Sequence, residues 1–384
     1  MAERYLLLVD DEPNILKALS RELEDWADER SITIITAPHA LKALEILKEK
    51  GQETLLVISD LRMPEMKGSD FLQIVKDTYP HILSILLTGF SETNEVIKAV
   101  RAGIFSYILK PWDSEYLLAE VDKAYKTIML KQEHDQLTKK IQEELRWAGE
   151  MQKALLRPAL PQSTSVEYRV SYRPVSHLYC GGDYYDVITL APDRYLILIG
   201  DVAGHGVRAA FVTGILKAII YPEYVRVNLT KKITPASFLS WLNDRMNFEL
   251  RRTTGLLITF FAGILDSKSQ NFTYANAGQC HPCILRGNAI SELPISGSAI
   301  GFASNIMYAE QGVQLQSGDV ITLYTDGLIE FTENDKPVKL APREVFSGIP
   351  YSPEYHRQLL TCALELSRAK DFSDDVSILS AQLF

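Results

Sequence analysis

The stretch YLLLVDD, residues 5–11, sets an unbroken apolar run directly before two acids. A run without polar alternation belongs to a strand covered on both faces, as in a parallel sheet. Working outward, Pro13 opens ILKALSREL, whose apolar residues recur at helical spacing. ITIIT, LLVIS, ILSILLT and SYIL repeat the strand character, and ALKALEILKEKG reads as a helix closed by Gly51. Alternating units of this kind predict an α/β doubly wound, five-stranded parallel sheet. Sites in such sheets form at the carboxyl ends of the strands. Asp10 and Asp11 follow the first strand, Asp60 follows the third, Thr88 ends the fourth and Lys110 the fifth. Each alone is an ordinary turn or capping residue. Together they bring three carboxylates to one edge, which repel unless a cation joins them, and a hard oxygen set suits Mg2+. Lys110 adds positive charge and Thr88 a hydroxyl for an incoming phosphoryl group.

DDEP at 10–13, SDLRMPEMKG at 59–68, LTGFS at 87–91 and YILKPW at 107–112 together resemble the receiver domain of response regulators. The resemblance implies a flavodoxin-like domain over residues 1–125. It implies Asp60 as phosphoacceptor, Mg2+ held by Asp10, Asp11 and Asp60, phosphoryl contacts from Thr88 and Lys110, and Tyr107 as switch aromatic. It also implies a sensor histidine kinase as partner. Attack of the carboxylate on phosphorus would give an acyl phosphate.

The 384 residues carry 40 basic and 49 acidic side chains, a formal net charge of −9, so a nucleic-acid partner is not expected. With 46 % hydrophobic and 23 % charged residues the chain has the composition of a folded protein, long enough for more than one core. No apolar run is long enough to span a bilayer, and the amino-terminal run meets acids too soon for a signal peptide. No membrane partner and a cytoplasmic location are expected. The 4 cysteines are too few for a disulfide framework. Cys280 and Cys283 form a lone C-x-x-C with His281 inside it, which does not complete a usual zinc site; small-residue packing is the expected role.

From Ser114 to about Leu156 the sequence lacks glycine until Gly149 and proline until Pro158. Leu130, His134, Leu137, Ile141, Glu144, Ala148, Met151 and Leu155 alternate by four and three, a heptad seam. Residues 126–156 are therefore expected to form a helical linker. It either lies on its own domain or pairs with a second copy, and a homodimer through this helix is the favoured expectation.

Residues 157–384 change character. Strand-like YRVSYRPV, YLILIGDV, LLITFFAGIL, FTYANAG, HPCILR and DVITLYTDG alternate with helical VRAAFVTGILKAII and PASFLSWLNDRMNFEL, the latter with Thr234 as N-cap and Pro235 in its first turn. Many strands with few long helices predict an α+β β-sandwich. Acids flank strand ends at Asp183, Asp201, Asp326, Asp374 and Asp375. Singly these are turn residues. Converging, they form an oxygen-only set suited to Mg2+ or Mn2+.

The order GGDYYD, GDVAGHG, ANAG, LQSGDVITLYTDG and DDVSIL resembles the PPM-type serine/threonine phosphatases, and within them the SpoIIE/RsbU subclass. The resemblance implies two Mn2+ or Mg2+ ions, both bridged by Asp201. The Val202 carbonyl would help hold one, Asp326 and Asp374 the other, and Asp183 would act beside them. Gln279 stands where the subclass carries His, which is expected to affect only loop packing or substrate approach. Val202 stands where the family often has Gly. His205 is a candidate general acid or a plain turn residue. The implied function is a two-component response regulator whose phosphorylation on Asp60 controls a phosphoserine/phosphothreonine phosphatase. The implied substrate is a phosphorylated STAS-type anti-sigma-factor antagonist in partner switching. The alternative is a non-enzymatic adaptor that keeps the phosphatase fold to bind a regulatory protein; the retained acids argue against it. No Walker-type loop, H-E-x-x-H or G-x-S-x-G is present.

Overall fold

The structure is a computed structural model that describes residues 3–89, 103–175, 179–204, 206–250, 256–333 and 336–384. The helix expected between the fourth and fifth strands, and His205, lie outside the described residues. The chain divides into Met1–Lys140 and Ile141–Phe384.

In the first unit, β1 (Arg4–Val9), β2 (Ile32–Ala37), β3 (Thr54–Asp60), β4 (Leu83–Thr88) and β5 (Ser106–Leu109) form one sheet in the order β2-β1-β3-β4-β5. Every pairing is parallel. The apolar run of β1 alternates its allegiance. Leu6 and Leu8 pack with Leu19 and Leu23 of α1 (Pro13–Asp28), and with Leu117 and Val121. Leu7 and Val9 pack with Ala43 and Leu47 of α2 (Ala40–Lys50) and Phe71 and Val75 of α3 (Gly68–Thr78). Two-sided burial is why no polar residue interrupts the run. Gly51 ends α2 as expected, but with a right-handed φ of −62°. Its glycine is required by space: a Cβ there would strike the Leu47 carbonyl and the Tyr79 ring.

The helix Ser114–Leu156 runs unbroken for 43 residues and contains the whole expected linker. The division between units falls inside it. No helix among the described residues is long and apolar enough to cross a membrane.

The second unit holds two five-stranded antiparallel sheets. The first has the order β13-β10-β9-β8-β7, built from β7 (Asp183–Ala191), β8 (Arg194–Val202), β9 (Ile258–Asp266), β10 (Asn271–Ala277) and β13 (Gln311–Gln314). The second has the order β12-β11-β14-β17-β6, built from β6 (Val166–Arg173), β11 (Cys283–Arg286), β12 (Ala289–Glu292), β14 (Val320–Tyr324) and β17 (Val376–Leu383). Ile197, Ile199 and Phe261 of one sheet share a core with Leu323, Leu379 and Ala381 of the other. The helices Val207–Ile219 and Pro235–Leu250 cover the outside of the first sheet through Leu216, Phe238 and Leu242. The helix Tyr355–Ser367 covers the second through Leu359 and Ala363. This is the expected sandwich, clad by helices on both outer faces. Thr234 caps its helix as read: its Oγ1 accepts from the Ser237 amide at 3.3 Å.

Candidate functional sites

At the carboxyl edge of the first sheet, Asp10 is fully buried, Asp60 is 7 % exposed and Thr88 1 % exposed. Lys110 Nζ lies 2.7 Å from Asp10 Oδ2 and 2.5 Å from Asp60 Oδ1. The remaining carboxylate oxygens accept backbone amides: Glu12 N–H to Asp10 Oδ1 at 2.9 Å and Arg62 N–H to Asp60 Oδ2 at 2.8 Å. Parallel register does the aligning, since Asp60 pairs with Leu87 and Thr88 with Leu109. Burial raises the Asp60 pKa, opposed by the Lys110 ammonium and reinforced by the Asp10 charge. Lys110 is itself burdened by burial, yet its two carboxylate partners raise its pKa. Asp11 sits exposed on the turn after β1, and Tyr107 is 42 % exposed on β5. Asp10 and Asp60 are hard oxygen donors gathered on Lys110, while Asp11 stands apart on the exposed turn, so the three are not drawn together into a ready-made ion site.

In the second unit, Asp183 opens β7 and pairs in register with Asp201 near the end of β8, so the antiparallel ladder sets two acids side by side. Asp183 is 1 % exposed. Its Oδ2 accepts from Thr325 Oγ1 at 3.0 Å, while Oδ1 is buried without a hydrogen-bond partner. Asp326 begins a short 3-10 turn directly after β14, and Asp374 precedes β17. Gly327 lets these two loops touch, because a Cβ there would strike the Asp375 carbonyl. Asp326 and Asp374 line one cleft of ≈ 320 Å³ with Glu330, Lys339 and Ser373.

Like charges and burial strain these acids. Burial, then the charges of Asp326, Asp374 and Asp375, push Asp201 up to about 8. Burial and the Asp374 charge push Asp326 up to about 6. Asp183 is raised well above its ordinary range by burial and by Asp201 and Asp375. A cluster that resists its own ionisation is relieved by cations. Backbone oxygens join it: a Cβ on Gly182 would sit 2.5 Å from the Val202 carbonyl oxygen, 2.8 Å from Asp201 Oδ1 and 3.1 Å from the Gly204 carbonyl oxygen. Only glycine leaves that hollow open. Among the described residues, no three His, Cys, Asp or Glu side chains stand ready to hold an ion by themselves. The fit is to a mixed set of carboxylates and backbone carbonyls, hard donors that suit Mg2+ or Mn2+.

Asp375 is the acid whose role the pattern of acids did not isolate. Its Oδ1 accepts from Val175 N–H and its Oδ2 from Gly182 N–H, both at 2.9 Å, so it ties Val175 to Gly182 beside Asp183. Its signal was weak: of two adjacent acids, it is the one next to β17 that turns inward. Gln279 closes its own loop. Its N–H donates to Asn276 Oδ1 at 2.7 Å, and its Oε1 accepts from Cys280 N–H at 2.8 Å. All 4 cysteines are free thiols.

The family model for Stage II sporulation protein E (SpoIIE) matches residues 191–384, and that for the response regulator receiver domain matches residues 6–122. The hydrogenase transcriptional regulatory protein HoxA of Cupriavidus necator is 35 % identical over 120 residues, 31 % of this chain and 23 % of that protein. The transcriptional regulatory protein GlrR of Escherichia coli is 33 % identical over 120 residues, 31 % of this chain and 26 % of that protein. The chain thus spans about a quarter of the length of these curated relatives. The solved SiaA-PP2C domain of Pseudomonas aeruginosa is similar in fold, with a TM-score of 0.54 and 22 % identity over 65 % of this chain and 99 % of that one. Through residues 191–384 the chain belongs to the Stage II sporulation protein E (SpoIIE) family, and it carries a response regulator receiver domain ahead of that region, at residues 6–122.

Proposed function

We propose that this chain is a response regulator whose phosphorylation on Asp60 controls hydrolysis of phosphoserine or phosphothreonine on a protein substrate. The observation that carries the catalytic half is the hollow at Gly182, where Asp201 and the carbonyls of Val202 and Gly204 meet beside a repelling group of buried acids. Asp201 would bridge two ions, Val202 would lend its carbonyl to one, and Asp326 and Asp374 would hold the other. When bound, the ions activate water and neutralise charge on the phosphoryl group. Asp183, held by Thr325 and in register with Asp201, keeps one buried oxygen without a hydrogen-bond partner and would act beside the ions.

In the receiver, a sensor histidine kinase would present the phosphoryl group. Asp60 attacks phosphorus, the new P–O bond forms as the P–N bond to the kinase histidine breaks, and Lys110 and Thr88 take up the negative oxygens. Asp10, Asp11 and Asp60 would hold Mg2+, which would supply charge neutralisation there. Tyr107, exposed on β5, would turn inward as the switch aromatic once Thr88 engages the phosphoryl group. The substrate class we propose is a phosphorylated STAS-type anti-sigma-factor antagonist, a reading supported by the match to the SpoIIE family, and a second copy of the chain is the proposed mate of the linker seam.

Purified protein is expected to hydrolyse a phosphoserine protein only with Mn2+ or Mg2+. Asp201→Ala and Asp326→Ala are each expected to lower the rate by ~100-fold or more, because the metal clamp supplies most of the catalysis. Full activity in EDTA, or in either variant, would overturn the reading; specific binding without turnover by the metal-loaded protein would favour an adaptor.

A further inference from the structure

One buried polar side chain of the long helix serves neither core nor seam. Gln152 is 5 % exposed. Its Nε2 donates to the Gly181 carbonyl at 2.7 Å and to Thr213 Oγ1 at 2.9 Å. Its Oε1 accepts from the Gly181 N–H at 3.1 Å. The amide orientation is determined by its neighbours: Thr213 spends its own proton on the Ala210 carbonyl at 2.8 Å and can only accept from Gln152. Every partner in this set is satisfied, so each bond is directional as well as buried.

Gly181 is the residue before the Gly182 hollow. The Gly181–Gly182 step is held on its other side by Asp375, which accepts the Gly182 N–H. A Cβ on Gly181 would land on the Asp375 carboxylate, so helix and acid grip a segment with no side chain to yield. One turn earlier on the same helix, Gly149 lies against the Tyr179 backbone, where any Cβ would strike the Tyr179 carbonyl. The helix therefore meets residues 179–181 at two points, one steric and one hydrogen-bonded. Tyr179 takes a left-handed φ of 61°, and that backbone is kept in place by this contact.

We infer that Gln152 is a positioning residue for the phosphatase metal site: it sets where Gly182, and with it the oxygens of Asp201 and Val202, stand relative to the ions. This rests on the metal-dependent reading above. A residue that touches no ion but orients the loop beside the ligands acts on affinity for the ion, with typical losses of ~10-fold when removed. It leaves the protein substrate's own contacts alone.

The test is Mn2+ binding, followed by electron paramagnetic resonance of the free ion, in the full chain without substrate. Gln152→Met keeps length and removes all three hydrogen bonds. It is expected to weaken Mn2+ binding ~10-fold. At saturating Mn2+ its kcat should return to within about twofold of wild type, with KM for a phosphoserine protein unchanged. Thr213→Val removes only one acceptor and should shift Mn2+ affinity severalfold in the same direction, which keeps the idea testable if Gln152→Met folds poorly. Equal Mn2+ affinity in wild type and a folded Gln152→Met overturns the positioning role while leaving the metal-dependent reading intact. So does an unchanged affinity in Thr213→Val when Gln152→Met does not fold. A wild type that binds no Mn2+ overturns the metal reading, and the positioning role with it.

Discussion

Lys110 pairs with two carboxylates at once, and Asp60, nearly buried, already faces that cation. A small phosphodonor with Mg2+ should therefore label the protein on a single acid-stable, alkali-labile acyl phosphate. Asp60→Asn should abolish the label, and label at the wild-type level in that variant would place the acceptor elsewhere. His356 makes a separate point about acid. It is buried between Ser171, at 2.8 Å from Nδ1, and Ser380, at 2.9 Å from Nε2. Burial, aided by the Arg169 charge, lowers its pKa to about 4. The folded state thus refuses a proton that the unfolded chain accepts near its ordinary value of about 6.5. Stability from this residue is complete above that value and falls as pH drops toward 4, by roughly 1–2 kcal/mol at pH 5. His356→Gln keeps a donor and an acceptor without titrating. Its melting temperature should fall less than that of wild type between pH 7 and pH 5, and parallel falls would show that His356 binds protons equally in the folded and unfolded states.

The helix Ser114–Leu156 carries different stripes along its length. Leu117, Val121, Ala124 and Ile128 are buried in the core of the first unit. Gly149, Gln152 and Leu156 are buried in the second. Leu130, Leu137, Ile141, Met151 and Leu155 are 66, 53, 59, 46 and 54 % exposed, so the described residues leave the apolar positions of the seam at these five places uncovered. An uncovered heptad stripe asks for a partner helix. If a second copy supplies it, the state of the receiver biases that pairing, and each tenfold shift in population needs only about 1.4 kcal/mol. Beryllofluoride, a phosphoryl mimic, is expected to change the phosphatase rate severalfold, upward. Ile141→Pro should break the seam, remove that response and leave basal metal-dependent hydrolysis. An unchanged wild-type rate with beryllofluoride bound, or a wild-type response in Ile141→Pro, would show that the helix does not carry the signal.

Across the whole molecule, what was legible in the sequence is what sequence neighbours decide. Strands buried on both faces show as apolar runs, and acids at their carboxyl ends mark the edge where Asp10, Asp60 and Lys110 meet. Asp183 and Asp201 were each readable as strand-flanking acids, but their pairing comes only from the register of β7 and β8. The roles of Asp375 and Gln152 were not readable, because their partners lie 193 and 29 positions away and only the folded chain brings them together. The lone glycine in a long helix, Gly149, was the one visible trace of that contact. That the seam and the Gln152 stripe share one unbroken helix has a consequence for how such proteins are assembled. Their mutual bearing depends only on the number of residues between them, not on what sits upstream. An insertion of about 7 residues before Ala148 restores the bearing to within ~20°, and should keep the beryllofluoride response. Insertions of about 2 or 5 residues turn the two stripes roughly 140–160° apart, and should weaken or invert it. A different sensor ending in a helix could be grafted in place of the receiver under the same counting rule, which makes the linker a standardised coupling and the sensory module an interchangeable part.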